Sequence, residues 1–343
     1  MATATPNSVQ TLPTARILHN CIRENRDHGF IYLNNPKVGC STVKSALWQA
    51  VTGEKPARGA GVHAVAGSPF NAKPVDAAFA ERAYIFTFVR NPYQRVVSAY
   101  LNKVIARRNP AWKAFAQRHD VGGTGLVTFD SFVEALAAVP PELHDPHWRP
   151  QHLNTLYPFV KPNLIADLES LDSLLPEILG RLFPGQPMPA AVKRKRNTAT
   201  RARAIWRSQL SDAGTRKRVL DVFGADFEAF GYRTDVDAEP EPTRGPQISE
   251  HQHKGLAKLV AYLAADGQGK APALRALERE EGAESLVDWV LAQRLRLIAS
   301  NRERVGQMLE SHAAQIAAGP TYLKQIAEQV RLGPAVKGQD AEE

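Results

Sequence analysis

The sequence predicts an α/β domain with a mostly parallel central sheet, followed by a helical C-terminal region. Three observations carry that expectation. Short apolar runs alternate with longer helical periods up to residue 236. Two of those runs pass through a polar, proline-containing breaker directly into a helix. After residue 247 only helical periods remain.

The first strand–loop–helix unit opens at Phe30-Ile31-Tyr32-Leu33, a β-prone run that ends in Asn34-Asn35-Pro36. From Ser41 the apolar positions Val43, Ala46, Leu47 and Val51 recur at helical spacing, with Ser41 or Thr42 suited to the N-cap. The second unit opens at Tyr84-Ile85-Phe86-Thr87-Phe88-Val89, aromatic and β-branched enough for a buried strand, and breaks at Arg90-Asn91-Pro92. Its helix, Tyr93 to Ile105, places Val96, Val97, Tyr100, Leu101 and Val104 on one face. Phe132 to Ala138, Leu168 to Leu182 and Val219 to Phe230 read as further helices. The organisation is therefore an N-terminal segment at residues 1–27, an α/β domain at 28–236, a Pro/Glu-rich linker at 237–247 and a helical region at 248–343. With Pro240, Pro242, Pro246 and Gly245 but no apolar period, the linker reads as exposed and extended.

Charge sharpens the division. The chain carries a net charge of +8, and residues 248–343 contribute −1 of it, so residues 1–247 hold +9. A basic excess first points to an anionic partner such as nucleic acid. No nucleic-acid motif accompanies it, and no nucleic-acid partner is expected. Cys21 and Cys40 are the whole cysteine complement, which excludes a disulfide framework and a Cys-rich metal site. His251 and His253 have no companion ligands, so no metal is expected. There is no uninterrupted apolar run of spanning length and no secretory-signal pattern, so a cytoplasmic protein without a transmembrane segment is expected, with peripheral membrane contact left open.

The loop Pro36-Lys37-Val38-Gly39-Cys40-Ser41-Thr42 has the makings of an anion cradle. Gly39 lets the backbone approach an oxyanion, a helix start offers N–H groups, Ser41 and Thr42 add hydroxyls, and Lys37 adds a point charge. It is not a nucleoside-triphosphatase loop, because Lys37 precedes Gly39 instead of following the glycines. Taken alone, a Lys-x-Gly turn is usually a tight βα connection. In the second unit Arg90 leaves a buried strand and Ser98 follows about two helical turns on, so both can face one phosphate. The plain alternatives are an ion pair for Arg90 and a solvated or salt-bridged Arg95. Cys40 reads as a small, buried residue and not as a nucleophile.

Together these two units, FIYLNNPKVGCSTVKSAL and YIFTFVRNPYQRVVSAY, resemble the carbohydrate sulfotransferases of sulfotransferase family 2, the group of the Golgi chondroitin-type enzymes and their bacterial relatives. HWRPQH (His147 to His152), the Leu168–Leu171 segment and the ending DFEAFGY (Asp226 to Tyr232) extend the resemblance over about residues 28 to 233. It implies a P-loop-like sulfotransferase fold and transfer of a sulfuryl group from 3′-phosphoadenosine 5′-phosphosulfate to a hydroxyl of a saccharide or glycoconjugate. The first loop, Lys37 through Thr42, would hold the 5′-phosphosulfate, and Arg90 with Ser98 the 3′-phosphate. Lys37 would neutralise charge on the bridging oxygen as its bond to sulfur breaks. The Golgi enzymes carry a membrane anchor and paired cysteines that this chain does not show, which points to a bacterial-type cytoplasmic relative.

The acceptor hydroxyl needs a base. His63, in the interval where related enzymes place theirs, ranks first and His147 second, with His144 and His152 close by. Their plain readings are a loop residue for His63 and packing beside Trp148 for His147. The run Lys193-Arg194-Lys195-Arg196, with Arg201 and Arg203, is either a solvated loop or a lure for the nucleotide or an anionic acceptor. The competing function is a non-catalytic nucleotide- or polyanion-binding module whose helical tail recruits a partner.

Overall fold

A computed structural model describes residues 21–56, 68–70, 77–106, 127–139, 144–157, 160–190, 200–238, 241–243 and 245–248, with Val62, Trp112, Phe115, Ala116, Pro141, Leu256 and Ala257. His63, the basic run from Lys193 through the side chains of Arg201 and Arg203, and the helices expected beyond residue 257 lie outside them.

A five-stranded sheet organises the α/β domain, with strands in the chain order β1 (Ile22–Asn25), β2 (Phe30–Leu33), β3 (Tyr84–Val89), β4 (Leu164–Asp167) and β5 (Gln247–Ile248). β2, β3 and β4 run parallel, in registers such as Phe30↔Tyr84 and Phe86↔Leu164. β1 and β5 pair antiparallel at the two edges. The expectation of a mostly parallel sheet thus holds for the three central strands and fails at both edges. The edge strands escape the apolar pattern because one is a short hairpin arm of mixed polarity and the other is only two residues long.

Strand periodicity sorts the core into two layers. Phe30, Tyr32, Phe86, Phe88, Leu164 and Ala166 pack on one face against α1 (Cys40–Thr52) and, after α2 (Ala77–Arg82), against α6 (Leu171–Leu182). On the other face Val89 and Ile165 join α3 (Pro92–Ala99), α4 (Phe129–Ala137) and α8 (Ala213–Phe230), with Phe132, Phe223 and Phe227 central. The four-residue helix α5 (Gln151–Asn154) and helix α7 (Thr200–Gln209) complete the described elements. The helix expected from Tyr93 to Ile105 is α up to Ala99 and continues as a π-helix from Tyr100 to Ile105.

The linker is less detached than its composition implies. The Thr243 N–H and hydroxyl both donate to the Gly231 carbonyl, at 2.7 and 2.9 Å, and Gln247 and Ile248 bond to the edge of β4. At these points its backbone is tied down, while most of its described residues stay exposed.

Candidate functional site

All the parallel strands deliver their C-terminal ends to one edge of the sheet, where ligands bind in open α/β folds. The loop after β2 reaches this edge through two left-handed residues, Lys37 at φ 74° and Gly39 at φ 81°. A side chain at Gly39 is blocked twice, by that φ and because a Cβ would lie 2.8 Å from Leu171 Cδ2 and 3.0 Å from Leu168 Cδ1. The β4–α6 connection therefore packs directly on the loop. Val38 is buried and anchors it. Gly39 begins α1 without any side-chain cap, and Ser41 and Thr42 lie half-buried in the first turn. Cys40 is likewise half-buried there, less enclosed than its reading as a buried residue expects.

Lys37 has no glycine freedom, so its conformation must be held from outside. Two arginines do so. Arg95 Nε donates to the Pro36 carbonyl at 3.0 Å, and Arg90 Nη1 lies 3.5 Å from the Lys37 carbonyl. Burial pushes the Lys37 amine down to about 8, with Cys40 opposing and the positive charges of Lys103, Arg90 and Arg95 adding to the fall. A cation held among cations is a site prepared for an anion.

Arg90 is 2% exposed at the end of β3. Its Nε and Nη2 each donate to Gln94 Oε1 at 3.2 Å. Its backbone is fixed by Gln151, whose Oε1 accepts from Arg90 N at 2.9 Å and whose Nε2 donates to Arg90 O at 2.7 Å. The same Gln151 Oε1 accepts from Asn35 Nδ2 at 3.0 Å, joining the two units to the HWRPQH segment. Asn91 caps α3 through the N–H groups of Tyr93 and Gln94, with Pro92 in the first turn. Ser98 lies half-buried further along α3.

Arg95 departs furthest from its sequence reading. It is 1% exposed and neither solvated nor in a surface salt bridge. All three of its donor nitrogens face backbone carbonyls: Nε that of Pro36, Nη1 that of Arg149 at 2.7 Å and Nη2 that of Pro146 at 3.1 Å.

The three described histidines near this segment divide by their partners. His144 is buried, with Nε2 3.1 Å from the Leu136 carbonyl and 3.0 Å from that of Val139, so Nε2 carries the hydrogen and serves the fold. His152 Nδ1 lies 2.7 Å from Asp226 Oδ1, in the same carboxylate that accepts the N–H groups of Gln151 and His152 at the start of α5. His147 is half-exposed, and its Nδ1 lies 2.6 Å from Asp145 Oδ1, which also accepts the His147 N–H at 2.9 Å. Its pKa is lowered chiefly by burial, against the opposing hydrogen bond and charge of Asp145, with Lys103 and Lys37 adding to the fall. The imidazole is thus neutral at pH 7, holds its Nδ1 hydrogen toward a carboxylate, and keeps Nε2 as the basic nitrogen. It senses Lys37 across the site, which places both residues in one electrostatic environment.

The structure therefore brings Lys37 and Arg90 together and sets His147 within electrostatic range of Lys37. Sequence reasoning missed Arg95 in its carbonyl-binding role, Gln151, Asp226 and Asp145. Of these, Asp145-x-His147 is the one whose spacing carried a legible signal.

An α/β sheet with a glycine-started helix, a lysine turn and converging arginines at its C-terminal edge has the make-up of an anion-handling site. The chain belongs to the sulfotransferase family, sulfotransferase family 2, whose family model matches residues 22–233. Comparison with curated proteins and with solved structures finds no match for this chain. The match runs from the start of β1 to the residues just after α8 and takes in every residue of the site described above. No helix among the described residues is long and apolar enough to cross a membrane.

Proposed function

We propose that the chain transfers a sulfuryl group from 3′-phosphoadenosine 5′-phosphosulfate to a hydroxyl of a saccharide or glycoconjugate, on a P-loop-like sulfotransferase fold. The observation that carries the reading is a lysine held in a left-handed turn among positive charges, within electrostatic range of His147, which pairs with Asp145. The donor set suits the nucleotide: the residues from Lys37 to Thr42 would take the 5′-phosphosulfate, and Arg90 and Ser98 the 3′-phosphate.

In the transfer step His147 Nε2 accepts the proton of the acceptor hydroxyl while that oxygen forms the new bond to sulfur. The bond from sulfur to the bridging oxygen breaks on the opposite side, and the leaving phosphate oxygen takes the electron pair. Lys37 meets the charge that grows there, an interaction stronger in the transition state than before it. Asp145 holds the tautomer that leaves Nε2 basic. His63, ranked first from the sequence, lies outside the described residues, and the reading of His147 as the base rests on its pairing with Asp145.

Transfer of radiolabelled sulfuryl groups from the donor to extracted glycans tests the reading. Wild type is expected to label glycans, and Lys37→Ala and Arg90→Ala are each expected to lose at least about two orders of magnitude in rate. Full turnover by either purified variant overturns it. Donor binding by wild type without transfer would mark a binding module instead.

A further inference from the structure

We infer that Arg95 is a positioning residue that sets the relation between the donor loop carrying Lys37 and the segment carrying His147. Its guanidinium donates Nε to Pro36 O at 3.0 Å, Nη2 to Pro146 O at 3.1 Å and Nη1 to Arg149 O at 2.7 Å. Pro36 immediately precedes Lys37, and Pro146 and Arg149 bracket His147 and Trp148. One planar fork therefore holds three oxygens from two chain segments more than 100 residues apart, next to the two side chains that share the proposed chemistry. A lysine at this place keeps the charge but cannot span three coplanar acceptors.

The surroundings agree with a load carried by geometry and not by pairing. Burial pulls the Arg95 guanidinium down to about 10, with Asp226 and Cys40 opposing, so it stays charged at neutral pH. Asn154 makes a second bridge further back, donating to Pro146 O at 3.0 Å and to Asn35 Oδ1 at 3.3 Å. That bridge can hold the segments together when Arg95 is altered, but it bonds to neither Pro36 nor Lys37. The charged groups that act on His147 are Asp145 on its own segment, Lys37 on the donor loop and Lys103 on the π-helix. Of these, Lys37 is the one whose chain segment Arg95 ties to the His147 segment.

The kinetic part of this inference rests on the proposed function; the titration part does not. The experiment compares wild type, Arg95→Lys, Arg95→Gln, Lys37→Met and the Arg95→Lys/Lys37→Met double variant, all in the full chain. Folding is checked by circular dichroism and thermal melting, and the His147 imidazole is titrated by NMR. The affinity of the desulfated nucleotide and the steady-state constants are measured alongside. Arg95→Lys is expected to lower kcat at least about tenfold while the nucleotide Kd moves by about threefold or less, because misplacement costs the transition state more than ground-state binding. The His147 pKa rises toward its ordinary value, because a cation that depresses it is no longer held in place. Lys37→Met raises it in the same direction, and Arg95→Lys adds nothing further in that background, since both changes act through one contact.

An unchanged His147 titration in both Arg95 variants overturns the inference. So does an Arg95→Lys shift of full size in the Lys37→Met background, or failure of both Arg95 variants to fold, which assigns the residue to the fold alone. A wild type that transfers no label sinks the proposed function and leaves the titration result standing.

Discussion

At residue scale, two titrating side chains with opposite requirements meet in one site. In the proposed transfer Lys37 must be charged to meet a leaving oxygen, and its amine is pushed down to about 8. His147 must be neutral to accept a proton, and its pKa is held below the ordinary 6.5. The free enzyme is competent between those values, so kcat/KM should follow a bell. The acid limb lies below the ordinary histidine range, where protonation of His147 removes the base. The alkaline limb lies near pH 8, where Lys37 loses its proton. A pH series of kcat/KM on wild type and on Lys37→Arg checks this: the arginine variant, always protonated, should lose the alkaline limb while keeping the acid one. An alkaline limb unchanged in that variant assigns it to another group. Lys37 and Gly39 were legible as a pair because their residue types are scarce solutions to one local problem, a tight turn facing an anion. Arg95 was not, because its partners are backbone carbonyls, and a carbonyl acceptor leaves no mark on the sequence of the residue that supplies it.

At the scale of elements, the least regular segment depends on a residue far from it in sequence. Helix α5 is four residues long and starts after Pro150 with no side-chain cap of its own. Asp226, fully buried on α8, supplies the cap from 75 positions away: Oδ2 accepts from Gln151 N at 2.7 Å and Oδ1 from His152 N at 2.9 Å. Gln151 in turn fixes the backbone of Arg90. Asp226→Ala strands the buried Gln151 N–H, the partly buried His152 N–H and the His152 imidazole together, and about 3 kcal/mol of stability should go with them in urea denaturation. Asp226→Asn, which keeps one acceptor, should lose less; equal losses would mean that charge and not capping is at work. β2 and β3 were readable to the residue, because each is a continuous apolar run ended by a Pro-containing breaker. β1, β4 and β5 were not separable from loop, being two to four residues long and set by their neighbours in the sheet. α8 begins six residues before its apolar period does, because Asp212 caps a polar first turn through Thr215 N.

At the scale of the molecule, the +9 of residues 1–247 is partly internal. Arg90 and Arg95 are buried beside Lys37, Arg23 and Lys44 are buried within electrostatic range of Cys40, and folding takes all four out of water before any anion arrives. Lys44, like Lys37, is pushed down to about 8, chiefly by burial. Both folded values lie below the unfolded 10.5, so above pH 8 the unfolded chain binds more protons than the folded one, and stability rises with pH. From pH 8 to 9 the gain is at most about 1 kcal/mol for each lysine, less for the half-exposed Lys37. Cys21 runs the other way: burial raises it from 9.0 to about 11, so it withdraws stability as pH climbs through that interval and flattens the rise. A bound polyanionic nucleotide changes one of these terms selectively. On the proposed function it restores the charge of Lys37, on the loop proposed to hold it, and leaves Lys44, 2% exposed on the inner face of α1, as it was. Urea denaturation at pH 8 and pH 9 should therefore show a positive slope in the free protein and a smaller one with saturating desulfated nucleotide. The complex should also gain about 2.7 kcal/mol when the nucleotide stands at 100 times its Kd. Equal slopes with and without nucleotide would place Lys37 outside the anion's reach, and the proposed donor site would fall with it.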